Sequence, residues 1–315
     1  MKAFFFAAFA RAPQGAARGL GRTLLGLLLL VAAVQATAVA APLRYGAGLL
    51  WRIETQGAPP SYLFGTMHST DPAVLALPDP VKTAFDDSRS LVIEMVIDQA
   101  VQAQLGQAMV LNDGRSLDGI IGEQRFAAVT AVGAQYGLPP QALKVFRPWA
   151  AMSVFSMTPT EFKRNNAGIL PLDQALEAAA NKRGMAVHGL ETVEEQIAVF
   201  AGIPEPQQIE LLDLVLRDHP EIEQWYARIK RAYLARDVAD IYSLMTEQTE
   251  GAPPGLAESF EERLILQRNE RMAQRMGPLL DQGRAFVAVG ALHLPGERGI
   301  LSLLEGEGHR VTRIY

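Results

Sequence analysis

Apolar positions in this chain gather into short runs that end abruptly, and two of those runs share a form. Ser61-Tyr62-Leu63-Phe64-Gly65-Thr66-Met67-His68 and Ala285-Phe286-Val287-Ala288-Val289-Gly290-Ala291-Leu292-His293 each lead into a glycine, with a histidine three residues later. Each predicts a buried strand opened at its end by the glycine, where the backbone turns sharply and presents an imidazole. Ahead of the first copy, Trp51–Thr55 pairs with Tyr62–Phe64 across the Gly/Pro turn 56–60. A helix starts at Asp79-Pro80, with the aspartate as cap and proline as first helical residue, and runs to about Asp87. Ser90–Ile97 is the next strand, with Glu94 in its middle, and the strand–helix–strand order predicts a right-handed parallel crossover.

Residues 98–160 are largely helical, broken at Gly114, at 137–140 and at Arg147-Pro148. Leu172, Ala175, Leu176 and Ala179 have helical spacing, in a helix that Gly184 ends. Met185–Thr192 is a short strand running into a turn, with Glu191 at its outgoing end. From 193 to 282 only helical patterns occur, interrupted at 251–255 and closed by Gly277-Pro278. A helix from about Glu297 to Glu305 and a strand Arg310–Tyr315 follow. The expected fold class is α/β: a central mixed, largely parallel sheet flanked by helices, with a helical insertion at about 193–282 before the last strands.

Composition sharpens this picture at the N-terminus. The apolar run Leu24–Val34 is preceded only by positive charges, Lys2, Arg11, Arg18 and Arg22, and is followed by Ala38-Val39-Ala40. At about 11 residues it is shorter than the roughly 20 that span a bilayer, so residues 1–40 are expected to be a signal peptide, and the protein periplasmic or secreted after cleavage. An uncleaved anchor is the alternative and the only membrane contact expected. Residues 41–315 then form a single domain, large enough for a full core at 49% hydrophobic residues. Without the first 40 residues the formal net charge falls from −5 to −9, which argues against a nucleic-acid partner. The absence of cysteine excludes disulfides, zinc fingers and a thiol nucleophile.

In a parallel sheet, ligands gather outside the carboxyl ends of the strands, where His68, Glu191 and His293 are expected. Glu94, inside an apolar strand, needs a cation, a proton or a close donor, because an unpaired buried carboxylate is costly. Two imidazoles with one or two carboxylates suit a catalytic divalent transition metal that activates water while a glutamate moves protons. Plainer roles stand beside these. Either histidine alone could bond to backbone, Glu94 could pair with a buried arginine, and Glu191 could cap the helix after Thr192. Arg147 and Arg268 could neutralise core carboxylates or stabilise an oxyanion. Asp173 reads as a helix-start residue without chemistry, His188 as a satisfied core histidine, His219 as a boundary residue and His309 as exposed. Gly-x-Ser-x-Gly, His-Glu-x-x-His, Gly-x-Gly-x-x-Gly and the phosphate-binding loop are all missing from the sequence.

From Leu49 to Tyr315 the chain resembles the TraB/GumN family, relatives of the Tiki metalloproteases and more distantly of the ChaN and erythromycin-esterase-like group. The resemblance is carried by residues 63–68, 91–95, 172–176, 189–192, 268–269 and 289–296, with no departure from the motifs at these positions. It implies an α/β fold with a metal-dependent hydrolytic centre at His68, Glu94 and His293, joined by Glu191 and Arg268, and manganese or cobalt dependence of the Tiki kind. The reading is a metal-dependent hydrolase, most plausibly a peptidase, using manganese, cobalt or zinc on a peptide or small-molecule substrate. His68 and His293 are its ligands, Glu94 a third ligand or general base, Glu191 a further catalytic residue, and Arg268 an aid at the substrate oxygen. A non-catalytic metal- or ligand-binding protein and a metal-independent esterase-like hydrolase, in which His68 activates water, stay open.

Overall fold

A computed structural model describes residues 42–249 and 252–315; the leader expected at 1–40 and Gly251 of the expected 251–255 break lie outside the described residues. Six strands, β1 (Leu50–Glu54), β2 (Ser61–Thr66), β3 (Ser90–Ile93), β4 (Ala186–Gly189), β5 (Ala285–Gly290) and β6 (Arg310–Arg313), form one sheet in the order β4-β3-β5-β2-β1-β6. β4, β3, β5 and β2 run parallel, while beyond β2 the strand β1 pairs antiparallel with both β2 and β6. The last strand to join the parallel set therefore sits in its middle. β5 can do so because it is apolar on both faces. Phe286 and Ala288 pack into one core, and Ala285, Val287 and Val289 into the core on the opposite face.

Register levels the strand ends. Thr66 lies opposite Gly290, and Ile93 lies opposite both Ala288 and Gly189. A third apolar cluster contains no strand residue and joins segments 109–155 and 199–260 beyond the sheet.

Four expectations need correction. β3 ends at Ile93, so Glu94 is at the strand exit rather than mid-strand. The apolar run Met95-Val96-Ile97 leaves the sheet, and Ile97 lines a cleft instead. The helix before β5, Gln267–Gln282, continues through Gly277-Pro278. A proline inside a helix costs about 3 kcal/mol. Met276 and Leu280, buried on either side of it, hold the helix in the sheet's core until Gly283, at φ +73°, turns the chain into β5. At the helix Asp79–Asp86, Pro78 occupies the cap and Asp79 the first turn, where its charge faces the helix's positive end.

Candidate active site

Each parallel strand delivers one polar side chain just past its last residue: Glu191 after β4, Glu94 after β3, His293 after β5 and His68 after β2. The two glycines act by close approach, since neither takes a positive φ. A Cβ on Gly65 would lie 2.7 Å from Leu294 Cδ1 and 3.1 Å from Ala291 Cα, so its absence lets the turn after β5 pack onto β2. A Cβ on Gly290 would lie 3.4 Å from Glu94 Oε1 and from His293 Cδ2, and 4.0 Å from His68 Nε2. The bare backbone of Gly290 is thus the floor of the place where these side chains meet.

Arg268 is the hub on one side of that floor. Its Nη2 donates to Glu94 Oε2 at 2.5 Å and to Glu191 Oε2 at 2.7 Å, and its Nε to Glu191 Oε1 at 2.9 Å. Its Nη1 donates to Leu264 O at 2.9 Å and faces His293 Nε2 at 3.2 Å. All five N–H of a guanidinium are therefore engaged. Leu264 belongs to the single π-helical turn Glu262–Leu266, which precedes the helix carrying Arg268. Burial by itself would lower the Arg268 pKa, but Glu94 and Glu191 outweigh it and hold the guanidinium charged, above its ordinary value. Glu191 is further bonded by Gln196 at 2.5 Å and Arg271 at 3.3 Å, and it lines neither adjoining cavity. The Glu94 Oε1 atom accepts the Gly290 N–H at 2.8 Å and stands 3.8 Å from His68 Nε2.

Hydrogen bonding fixes which imidazole nitrogen carries the proton. Asn269 donates its Nδ2 to Arg298 O at 2.9 Å, so its Oδ1, 2.6 Å from His293 Nδ1, accepts a proton there. That leaves His293 Nε2 as a lone pair, the only state that suits a guanidinium neighbour. Asp173 takes the Nδ1–H of His68 and also accepts from Thr66 Oγ1 at 2.5 Å, leaving the His68 Nε2 free to point toward Glu94. Burial would raise the Asp173 carboxyl, but His68 and Thr66 overcome it and hold it below the usual carboxylate range.

Asp173 is thus a partner of His68, contrary to the reading of it as a mere helix-start residue. Its signal in the sequence was its place in the Leu172–Leu176 motif, not its spacing from any histidine. Asn269 stood in the 268–269 segment of the resemblance without a role, and Gln196 was missed, with nothing local to mark it. Arg147 heads the helix Pro148–Phe155 and lines neither cavity at the site. His188 is half-buried on the edge strand β4 rather than in the core. His219 does lie between two helices but is buried against Tyr136 Oη at 2.8 Å, and His309 is partly buried against Thr55 Oγ1 at 2.8 Å rather than exposed.

Two cavities flank the cluster and share His68, Glu94, Gln196 and Phe200. One is an apolar recess of about 60 Å³ that also reaches Arg268 and His293; the other is a cleft of about 390 Å³ that reaches Asp173. For a divalent metal the donor chemistry fits: two imidazoles, each fixed from behind by an acceptor on Nδ1, stand beside a carboxylate. Among the described residues no three His, Asp or Glu side chains are drawn together tightly enough to hold one ion, and Arg268 stands against the His293 lone pair.

The molecule is an α/β protein with a buried polar centre at the exits of its parallel strands. The chain belongs to the TraB/PrgY/gumN family, which it matches over residues 49–313. It is similar to the metalloprotease TIKI2 of Danio rerio, at 24% identity over 83% of this chain and 60% of that protein. It is also similar to the metalloprotease TIKI1 of Xenopus tropicalis, at 25% over 83% and 60%. The metalloprotease TIKI homolog of Amphimedon queenslandica is 25% identical over 84% of this chain and 61% of that protein. The chain thus spans about three fifths of the length of these curated relatives. No solved structure matches it.

Proposed function

We propose that the protein is a metal-dependent hydrolase of peptide bonds, acting outside the cytoplasm once its leader is removed. One observation carries the reading: two histidines from opposite ends of the sequence, each with an acceptor behind its Nδ1, bring their rings to the same glycine, with Glu94 beside them. The likeness to proteins named metalloproteases supports the same class. His68 and His293 are the residues that would hold the metal, with Glu94 next to them. When bound, manganese, cobalt or zinc would supply a water of lowered pKa and polarise the scissile carbonyl.

The chain's own groups do the rest. Asp173 and Asn269 keep both rings in the Nδ1–H tautomer. Glu94 receives the proton of the attacking water through Oε1 and returns it to the departing amine nitrogen. Arg268 keeps Glu94 ionised and lends positive charge beside the developing oxyanion. Glu191 positions Arg268 and moves no proton, because unlike Glu94 it borders neither cavity.

A second reading is favoured by the looseness of the donor set: His68, backed by Asp173, would activate water without a metal. A peptide library incubated with the chelated protein, then with manganese, cobalt or zinc restored, tests the choice. Cleavage only after metal is restored, and lost in His68→Ala and His293→Ala, is the expected result. Cleavage that survives both substitutions refutes the site.

A further inference from the structure

The helix Pro148–Phe155 is apolar on every side, yet it carries two buried donors without a partner. Trp149 Nε1 and Ser153 Oγ are hydrogen-bonded to no described group, and their residues are 5% and 3% exposed. A buried donor left unmade costs about 1–3 kcal/mol, so two of them four residues apart on one helix face call for a reason. Both line the 390 Å³ cleft beside His68. The Trp149 ring lies flat against Phe200, centroids 6.1 Å apart, and Phe200 borders both cavities at the cluster.

The cleft's charge has one sign. Its lining includes Glu94, Asp173 and Glu177, and none of the described lining residues is Lys or Arg. Glu94 and Asp173 are committed to Arg268 and His68. Glu177, on the helix Leu172–Lys182, forms no ion pair with a Lys or Arg among the described residues; burial raises its carboxyl above the usual range, a cost that an incoming positive charge would offset.

We propose that this cleft is the subsite for a cationic segment of a peptide, with a backbone carbonyl accepting from Trp149 Nε1 and Ser153 Oγ and an ammonium or guanidinium group set against Glu177. His68 and Glu94 line the same cleft, which places this segment next to the bond to be cut. The proposal rests on the peptidase reading for its ligand class. The positive charge has two sources in a peptide, the terminal amine and a basic side chain.

Calorimetric titration of the chelated, non-turning-over full protein separates the possibilities. Four five-residue peptides serve as probes: Ala-Lys-Leu-Ala-Leu amide, its acetylated form, and both again with norleucine in place of lysine. At least one cationic peptide is expected to bind about tenfold more tightly than the acetylated norleucine peptide, and Glu177→Gln to erase that difference. Whether the free amine or the lysine retains the advantage identifies the source. Trp149→Phe, which keeps the ring against Phe200, and Ser153→Ala are each expected to weaken every peptide that binds about 3- to 10-fold while leaving the unliganded protein at least as stable. Equal binding of all four peptides, or binding unmoved by the three substitutions, overturns the proposal. Binding that follows the expected pattern without cleavage after metal is restored would leave the cleft standing and sink the hydrolase. Cleavage whose KM ignores all three substitutions would do the reverse.

Discussion

His68 and His293 leave neighbouring strands through the same Gly-x-x-His sequence, yet they end in opposite surroundings. His293 is 4% exposed and held on both nitrogens, by Asn269 and Arg268, inside a cluster where Glu94, Glu191 and Arg268 are themselves buried. The His68 side chain is 17% exposed, has Asp173 behind it, and borders both cavities. Two parallel strands can thus offer one sequence twice and obtain two roles. The closed half fixes geometry and keeps a charge pattern in place, and the open half meets whatever enters.

The largest test of that contrast is Arg268→Met. It strands two buried carboxylates, and breaking such a pair costs about 3–5 kcal/mol, to be read from urea unfolding of the variant beside the parent. A loss near zero would mean the closed half is not closed. Next comes the histidine pair. His293→Ala leaves Asn269 and Arg268 without their shared acceptor and donor, a penalty of about 1–3 kcal/mol. His68→Ala, at the open edge, should cost less than about 1 kcal/mol. Equal unfolding midpoints for the two would erase the distinction drawn here.

Asp173→Asn sharpens the open half. It keeps the size and removes the charge that fixes the His68 tautomer, so kcat/KM should fall about 10- to 100-fold, with a loss of about 1 kcal/mol in stability that leaves the variant folded under assay conditions. An activity within twofold of the parent would make Asp173 a bystander. The smallest effect concerns the outer wall. Glu195, at the start of the helix Val193–Ala201, is gripped by both Nη atoms of Arg275, whose hydrogen bonds outweigh burial and bring its carboxyl down to about 2. A depressed carboxyl stabilises the fold above its ordinary pKa near 4.5 and loses that contribution as pH falls toward 2. Glu195→Gln should therefore cost up to about 1 kcal/mol at pH 7 and nothing near pH 2, measured by denaturation at both.

Much of this was legible in the sequence, for definite reasons. A short apolar run and a glycine stop marked β2 and β5, and the third residue after each glycine was a histidine in both. Helical spacing after Thr192 was equally plain, and the capping box between Thr192 and Glu195 is formed. What failed was long-range or compensated. Apolarity from Met95 to Ile97 disguised the end of β3, which is set by Glu94 turning to Gly290 and Arg268. Pro278 looked terminal because its cost is local and the packing that offsets it is not. Asp173 meets a histidine 105 positions away, a contact no window on the sequence contains.

The central claim is that the two unlike histidines serve one metal. Elemental analysis of protein purified without chelator, for the parent, His68→Ala and His293→Ala, tests it most directly. The account predicts close to one manganese, cobalt or zinc per parent chain and loss of that metal in both variants. Metal retained undiminished in either variant, or a metal-free parent that still cleaves peptides, would contradict it.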